Sequence, residues 1–167
     1  MARKKDKVQK TNAMRELERG GVAYEALTFE EPEVMGTSEL GVQIARMLGF
    51  DPAQGFKTLV CVGPKGDHVV CCVPSGDELD LKKAAAAAGE KSLSLMHVRD
   101  LEPTTGYVRG GCSPVGMKKQ FPTLIDETAQ LFDTIYISGG RRGLTLEVAP
   151  KPLAAFVGAK FADIVAD

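Results

Sequence analysis

The chain has 167 residues, of which 44% are hydrophobic and 26% are charged, and its formal net charge is −1. These values exclude a fibrous protein, a long disordered chain and a protein that is basic overall. No apolar run approaches the roughly 18 residues that a membrane-spanning helix needs, and no signal peptide is evident at the amino terminus. We therefore predict a soluble cytoplasmic protein with no membrane contact.

The first half of the sequence predicts helices that alternate with strands. In chain order, the predicted segments are a helix around 13–17 that stops at Gly20-Gly21, a strand over 22–29, a helix over 40–48 capped by Thr37 or Ser38, a one-turn helix opened by Asp51-Pro52, hairpin strands over 56–62 and 68–73, and a helix over 80–89 that contains an alanine run.

The second half predicts shorter elements. They are strands over 93–96, 106–109, 123–126, 134–138 and 144–148, a short helix near His97 and a helix over 152–157. Because strands outnumber helices and many are joined by short turns, we predict an α+β (mixed α/β) fold, with a mixed, largely antiparallel sheet and helices packed outside it. We expect residues 13–167 to form one domain and residues 1–12 to be a flexible basic tail.

Several kinds of chemistry lack their usual residues. The two histidines, His68 and His97, have no partner at a metal-ligand spacing, and the sequence contains no GxSxG, GxxxxGK[ST] or GxGxxG motif. Four cysteines fit reduced thiols, and the adjacent Cys71 and Cys72 should point to opposite faces of a strand. We expect neither a metal nor a cofactor.

A lysine stands at the start of the first hairpin strand. Phe56, Thr58 and Val60 share one face of this strand, whereas Lys57 and Leu59 share the other, so both faces are largely apolar. The strand pattern alone favours a Lys57 whose stem covers apolar surface and whose ammonium reaches water. The alternative is a cation held at the rim of a pocket, where it binds a phosphate or polarises an oxygen.

Glycine-rich loops and basic patches are the remaining candidates. The loops are Gly110–Gly116 and Ser138–Gly143, where the backbone can approach a ligand closely, although each alone is also typical of a plain turn. The basic patches are the run Arg3–Lys5 with Lys7 and Lys10, the pair Lys118-Lys119 and the pair Arg141-Arg142, each of which alone is typical of a solvated surface.

Together these segments resemble a known family. The motifs are Phe56-Lys57-Thr58-Leu59, Leu79-Asp-Leu-Lys-Lys83, Thr105-Gly-Tyr-Val108, Gly110-Gly-x-Ser-Pro-x-Gly116, Lys118-Lys119, Pro122-Thr-x-Ile-Asp126, Ile135-Tyr-x-Ser-Gly-Gly140 and Arg142-Gly143. In order and spacing they resemble the YbaK/EbsC family, and its Cys-tRNA(Pro) deacylase branch best. That family comprises free-standing aminoacyl-tRNA deacylases related to the editing domain of bacterial prolyl-tRNA synthetase, and the resemblance covers nearly the whole chain after residue 12.

The resemblance implies a YbaK/ProRS-associated-domain-like fold, with a sheet around a pocket. It also implies a trans-editing reaction that removes cysteine from mischarged Cys-tRNA(Pro). Lys57 corresponds to the lysine on which the family's activity depends. The resemblance further implies that a set of residues binds the substrate: Thr58, Phe29, Met35, Gly110, Gly111, Cys112, Ser113, Pro114, Ser138, Gly139 and Thr145.

The resemblance also implies a mechanism and partners. In cysteine-specific members the substrate's own thiol attacks its ester carbonyl, so the enzyme supplies mainly orientation. Cys112 lies where relatives commonly have an aliphatic residue, and it is interpreted as lining rather than as a nucleophile. The aminoacylated 3′ end of tRNA is the expected ligand, and prolyl-tRNA synthetase is the expected helper.

Two positions depart from the family pattern and leave alternatives open. Phe29 and Thr145 stand where many cysteine-specific relatives have Tyr and Asp, which removes a hydroxyl and a carboxylate. One alternative is hydrolysis of Ala-tRNA(Pro) or another small aminoacyl-tRNA by water. The other is a module that binds tRNA or a synthetase without turnover.

Overall fold

The computed structural model describes residues 9–31 and 39–167, and within them it contains five α-helices and eight β-strands. The helices are α1 (Asn12–Arg19), α2 (Leu40–Leu48), α3 (Leu81–Ala88), α4 (Val98–Thr105) and α5 (Pro150–Val157). Two 3-10 turns cover Pro52–Gln54 and Glu127–Leu131. The α+β class predicted from the sequence is confirmed.

Local capping explains where the helices begin and end. The Thr11 hydroxyl accepts from the Met14 amide at the start of α1, and the Asp80 carboxylate accepts from two amides at the start of α3. Helix α3 ends at Gly89, whose φ of 76° is left-handed and suits glycine. The sequence predicted Asp80 and Gly89 as boundary residues, but it did not predict Thr11 as a cap.

The strands form two sheets. They are β1 (Tyr24–Thr28), β2 (Phe56–Val62), β3 (His68–Pro74), β4 (Ser94–Leu95), β5 (Thr123–Asp126), β6 (Ile135–Ser138), β7 (Leu144–Val148) and β8 (Lys160–Ala162). The smaller sheet has the order β1-β7-β6 and is antiparallel. The larger has the order β4-β2-β3-β5-β8, in which the β3–β5 and β5–β8 pairs are parallel. A bridge between Gly55 and Tyr136 connects them.

The apolar core lies on both faces of the larger sheet. One cluster fills the space between the two sheets, α1 and α5, and includes Val60 and Cys72. The other lies between the larger sheet and α3, and includes Cys61 and Cys71. Successive strand residues thus belong to different clusters, as the two-residue period of a strand requires. The predicted separation of Cys71 from Cys72 is confirmed.

Some predicted elements are wrong or incomplete. Residues 106–109 do not form a strand, because Gly106 adopts a left-handed φ of 87° at the end of α4 and turns the chain. Strand β8 and the 3-10 turn at Glu127–Leu131 were not predicted from the sequence. The proposed caps Thr37 and Ser38 and the basic run Arg3–Lys5 lie outside the described residues.

Within the described part of the chain, no helix is long and apolar enough to span a bilayer.

Candidate active site

A cavity of about 160 Å³ opens where the two sheets meet helix α2. This volume is close to that of an engineered cavity, of about 150 Å³, that holds a benzene molecule, so one small side chain and its carbonyl group would fill it. The lining residues are Phe29, Leu40, Gly41, Ile44, Phe50, Gly55, Phe56, Lys57, Thr58, Ser75, Gly110, Cys112, Tyr136, Ile137, Ser138, Leu144 and Thr145.

The lining combines apolar walls with neutral polar groups. Four of its side chains are aliphatic hydroxyls, from Thr58, Ser75, Ser138 and Thr145. Of the described residues that line the cavity, none is Asp, Glu or His, and Lys57 is the one cation. The lining can therefore orient an ester by hydrogen bonding, but it offers no carboxylate or imidazole as a general base.

Lys57 is half-buried at the start of β2. Burial lowers the pKa of its ammonium, and Glu78 and Asp77 oppose that effect. An ammonium that has lost part of its hydration interacts more strongly with a phosphate or a developing oxyanion than one in open water does. The strand holds this cation on a rigid support, which favours the pocket interpretation over a lysine that merely snorkels to solvent.

The smaller sheet brings two of the hydroxyl residues together. Ser138 on β6 pairs with Thr145 on β7 across the antiparallel ladder. The Phe29 amide donates to the Gly143 carbonyl at 3.0 Å, which places the Phe29 ring at the same end of this sheet. The two positions that depart from the family pattern, Phe29 and Thr145, therefore both line the cavity.

An aromatic pair forms another wall. The rings of Phe50 and Tyr136 stack with centroids 3.7 Å apart and planes within 4° of parallel. Burial raises the pKa of Tyr136, and Glu147, which is its partner in the ladder, raises it further. The phenol therefore stays protonated and can donate a hydrogen bond.

The two glycine-rich loops pack directly on each other. A Cβ added to Gly111 would lie 2.8 Å from the Arg141 Cα, so only glycine permits this approach. The Tyr107 hydroxyl donates to the Val115 carbonyl at 2.7 Å across the first loop, and Thr11 donates to the Gly139 carbonyl at 2.5 Å in the second. These bonds fix the loops that form one side of the cavity.

Cys112 is buried in the cavity wall, and burial raises the pKa of its thiol to about 12. The thiolate is the nucleophilic form of cysteine, so a thiol with this pKa is inert near neutral pH. The physical chemistry agrees with the interpretation of Cys112 as lining.

The structure brings together seven of the twelve predicted site residues. They are Lys57, Thr58, Phe29, Gly110, Cys112, Ser138 and Thr145. Four others are buried beside the cavity without lining it: Gly111, Ser113, Pro114 and Gly139. The Ser113 hydroxyl, for example, accepts from the Val115 amide inside the loop. Met35 lies outside the described residues, and the roles of all twelve remain predictions.

Sequence reasoning missed ten lining residues: Leu40, Gly41, Ile44, Phe50, Gly55, Phe56, Ser75, Tyr136, Ile137 and Leu144. Some carried a usable signal, because Phe56 and Tyr136 lie within the motifs already noted. The apolar face of α2 was indistinguishable from an ordinary core face. In the described part of the chain, no group of three or more His, Cys, Asp or Glu residues is placed to hold a metal ion.

Comparison with known proteins identifies the class. The model of the aminoacyl-tRNA editing domain matches residues 37–156. The chain therefore belongs to the aminoacyl-tRNA editing domain family, and the family resemblance inferred from its motifs is confirmed.

Two individual proteins are similar to this chain in sequence. EbsC from Enterococcus faecalis, named as a candidate Cys-tRNA(Pro)/Cys-tRNA(Cys) deacylase, is 47% identical over 98% of both chains. YwhH from Bacillus subtilis, an uncharacterised protein, is 31% identical over 68% of this chain and 72% of its own.

Solved structures share the fold. A candidate trans-editing enzyme for prolyl-tRNA synthetase is 28% identical and superposes with a TM-score of 0.78, covering 96% of this chain and all of that one. The hypothetical protein APE2540, at 22% identity, has a TM-score of 0.83 over 93% of this chain and all of its own, and supports the fold alone.

Proposed function

We propose that this protein is an aminoacyl-tRNA deacylase that removes cysteine from mischarged Cys-tRNA(Pro). The observation that carries the proposal is Lys57, a partly desolvated cation in a small, hydroxyl-lined cavity. Membership of the editing-domain family and the name of the relative EbsC support the substrate class.

The proposed reaction needs no nucleophile from the protein. The cysteinyl thiol loses its proton and its sulfur bonds to the ester carbonyl carbon. The bond from that carbon to the ribose oxygen then breaks, and the oxygen takes up a proton. The products are tRNA and a cyclic thioester. Holding the substrate in the reactive geometry is the main contribution of the cavity, and effective molarities for such intramolecular attack reach roughly 10⁵ M or more.

Lys57 has a defined place in this reaction. Its ammonium binds the terminal nucleotide through phosphate or ribose oxygens, which fixes the ester over the cavity. Thr58, Ser138 and Thr145 supply hydrogen bonds to the aminoacyl group. Such a small protein reads little of the tRNA, so we propose that prolyl-tRNA synthetase holds the tRNA during editing. The name of the structural relative supports that partner, and the reaction would take place in the cytoplasm, where tRNA is charged.

The test is release of amino acid from tRNA(Pro) charged with cysteine, alanine, serine or S-methylcysteine. The native protein should release cysteine, and Lys57→Ala should lower kcat/KM by roughly 10²-fold or more, as the loss of one preorganised electrostatic group does. Lys65→Ala is the matched control, because Lys65 is exposed at the hairpin turn at the far end of β2. Cys112→Ala should keep its activity, since its thiol is not the nucleophile.

The substrates separate the mechanisms. If cysteine is released from tRNA(Pro) but S-methylcysteine is not, the result supports attack by the substrate thiol. Release of alanine would instead establish hydrolysis by water, an outcome to which the departures at Phe29 and Thr145 give weight. No release from any substrate, with tRNA still bound, would reject the enzyme in favour of a binding module.

A further inference from the structure

A cluster of arginines borders the cavity on its solvent side. Arg109, Arg141 and Arg142 are all exposed, and we call them the rim cluster. Arg109 immediately precedes Gly110, which lines the cavity, and the two other arginines lie in the turn that follows the lining residue Ser138.

Packing between the two loops holds the rim cluster together. The Arg142 Nε donates to the Arg109 carbonyl at 2.9 Å. Gly111 allows the first loop to approach the backbone of Arg141 and Arg142 within ordinary contact. The loop that carries Arg109 and the loop that carries Arg141 and Arg142 lie far apart in the sequence and are therefore held together at one edge of the cavity.

Two arginines of the rim cluster, Arg141 and Arg142, lie outside the ion pairs of the described residues. Among the described residues, ion pairs within 4 Å join Lys10 to Glu18, Arg19 to Glu16, and Lys83 to Asp163 and Asp167, and none of them includes Arg141 or Arg142. Glu31 lies near Gly143 at the other end of the loop. Like charges on touching loops repel each other, so the arrangement suits an anionic partner.

We propose that the rim cluster binds backbone phosphates of the unpaired 3′ strand of tRNA, next to the nucleotide whose aminoacyl group occupies the cavity. This inference rests on the proposed function. The cavity has room for the aminoacyl group but not for the strand, so the strand must cross its rim. Arginine suits this contact because its planar guanidinium binds phosphate oxygens in pairs.

The contact has a measurable salt dependence. Each phosphate neutralised on a single strand contributes a slope of about −0.7 in log K against log salt. Between about 50 and 200 mM salt, two such contacts weaken binding by about sevenfold. Removing Arg141 and Arg142 should therefore make the slope less steep by about 1.4.

The experiment compares two substrates and two double variants. The substrates are Cys-tRNA(Pro) and the cysteinyl ester of adenosine, which has the aminoacyl group but no neighbouring phosphates. The variants are Arg141→Ala with Arg142→Ala, and the control Lys65→Ala with Lys91→Ala, which removes the same charge from exposed positions around the distal hairpin turn. Melting temperatures confirm folding, and Arg141→Glu provides a second variant that keeps the Arg142 hydrogen bond.

We expect the rim variant to raise KM for Cys-tRNA(Pro) by a factor that is about sevenfold larger at about 50 mM than at about 200 mM salt, with little change in kcat and no change for the adenosine ester. The control pair should leave both substrates unchanged. Equal loss on both substrates would overturn the proposal, because the arginines would then act on the cavity itself. No loss on either substrate would also overturn it.

Binding of uncharged tRNA separates this proposal from the proposed function. If the native protein releases no amino acid, the function fails, but the rim cluster can still be judged by its affinity for tRNA with and without the unpaired 3′ nucleotides. We expect the trimmed tRNA to lose its sensitivity to the rim variant. Unchanged tRNA binding by the variant, with lost binding to prolyl-tRNA synthetase, would reassign the rim cluster to an acidic protein surface and overturn the proposal.

Discussion

The contact between Gly41 and Ser75 sets the position of helix α2 over the cavity. A Cβ added at Gly41 would lie 2.1 Å from the Ser75 Cβ and 2.4 Å from its Oγ. Carbon atoms in contact normally lie about 3.5–4.0 Å apart. Ser75 is buried and its hydroxyl donates to the Gly55 carbonyl at 3.1 Å, so it cannot turn aside without losing that bond. Gly41→Ala must therefore move α2 away from the start of β2.

The size of the effect follows from two opposing terms. Overpacking of a filled site costs about 1–3 kcal/mol. Replacing glycine by alanine in a helix interior gains up to about 1 kcal/mol, and less in a first turn such as that of Gly41. The net loss should be about 1–2 kcal/mol, and for a chain of this length that lowers Tm by roughly 2–8 °C.

The assay is thermal and urea unfolding of a double-mutant cycle. Ser75→Gly removes the Cβ that Gly41→Ala would meet, so the double variant should be more stable than the sum of the single losses by about 1 kcal/mol or more. Ser75→Ala keeps that Cβ and should give no rescue. Gly76→Ala is the control glycine, since an added Cβ there comes no closer than 4.0 Å to Val42.

Activity gives a second readout of the same contact. Because Gly41, Gly55 and Ser75 all line the cavity, moving α2 should lower kcat/KM, and Ser75→Gly should restore part of it. The reasoning is refuted if Gly41→Ala has the same Tm as the native protein. It is also refuted if Ser75→Gly and Ser75→Ala give the same coupling free energy with Gly41→Ala.

Three further changes test other parts of the structure. Asp126→Ala should cost roughly 2–4 kcal/mol in urea unfolding, because its buried carboxylate accepts from two amides and one hydroxyl; a loss below 1 kcal/mol would contradict this. Phe50→Leu should cost about 1 kcal/mol through its stacking on Tyr136 and should lower activity; unchanged stability and kcat/KM would argue against that wall. Burial lowers the pKa of Lys57 on folding, so the unfolded chain binds more protons between the two pKa values and stability rises with pH there. Lys57→Met should flatten that alkaline rise in urea unfolding, whereas Lys65→Met should not.

Elements with strong local signals were predictable from the sequence. Helices α1 and α3 have polar caps and terminal glycines, and the β2–β3 hairpin has turn residues between two apolar runs. Strand β8 has three residues and pairs in parallel with β5, so its formation depends on a distant partner rather than on its own pattern. Residues 106–109 have strand-like composition, but the left-handed Gly106 turns the chain before a strand can form.

The site residues that lie in motifs were predictable from the sequence, whereas those that only packing brings together were not. Lys57, Ser138 and the Gly110 loop lie in motifs that resemble a family. Gly41 and Ser75 are ordinary residues in sequence, and their role appears when α2 packs against the end of β3. The same applies to the rim cluster, since nothing in the sequence brings Arg109 beside Arg142 until the two loops meet through Gly111.

The chemistry of the lining bears on how such a small cavity selects one amino acid. Fit alone discriminates weakly, since one methylene or one added hydroxyl in an apolar pocket is worth only about 1–3 kcal/mol. Cysteine, serine and alanine differ by no more than that, so a cavity of about 160 Å³ would admit all three. The described lining contains no Asp, Glu or His that could act as a general base on water, so the proposed mechanism predicts that a bound alanyl ester reacts slowly. In the proposed mechanism, discrimination therefore lies in the reaction rather than in binding, because the cysteinyl group carries the thiol that attacks its own ester.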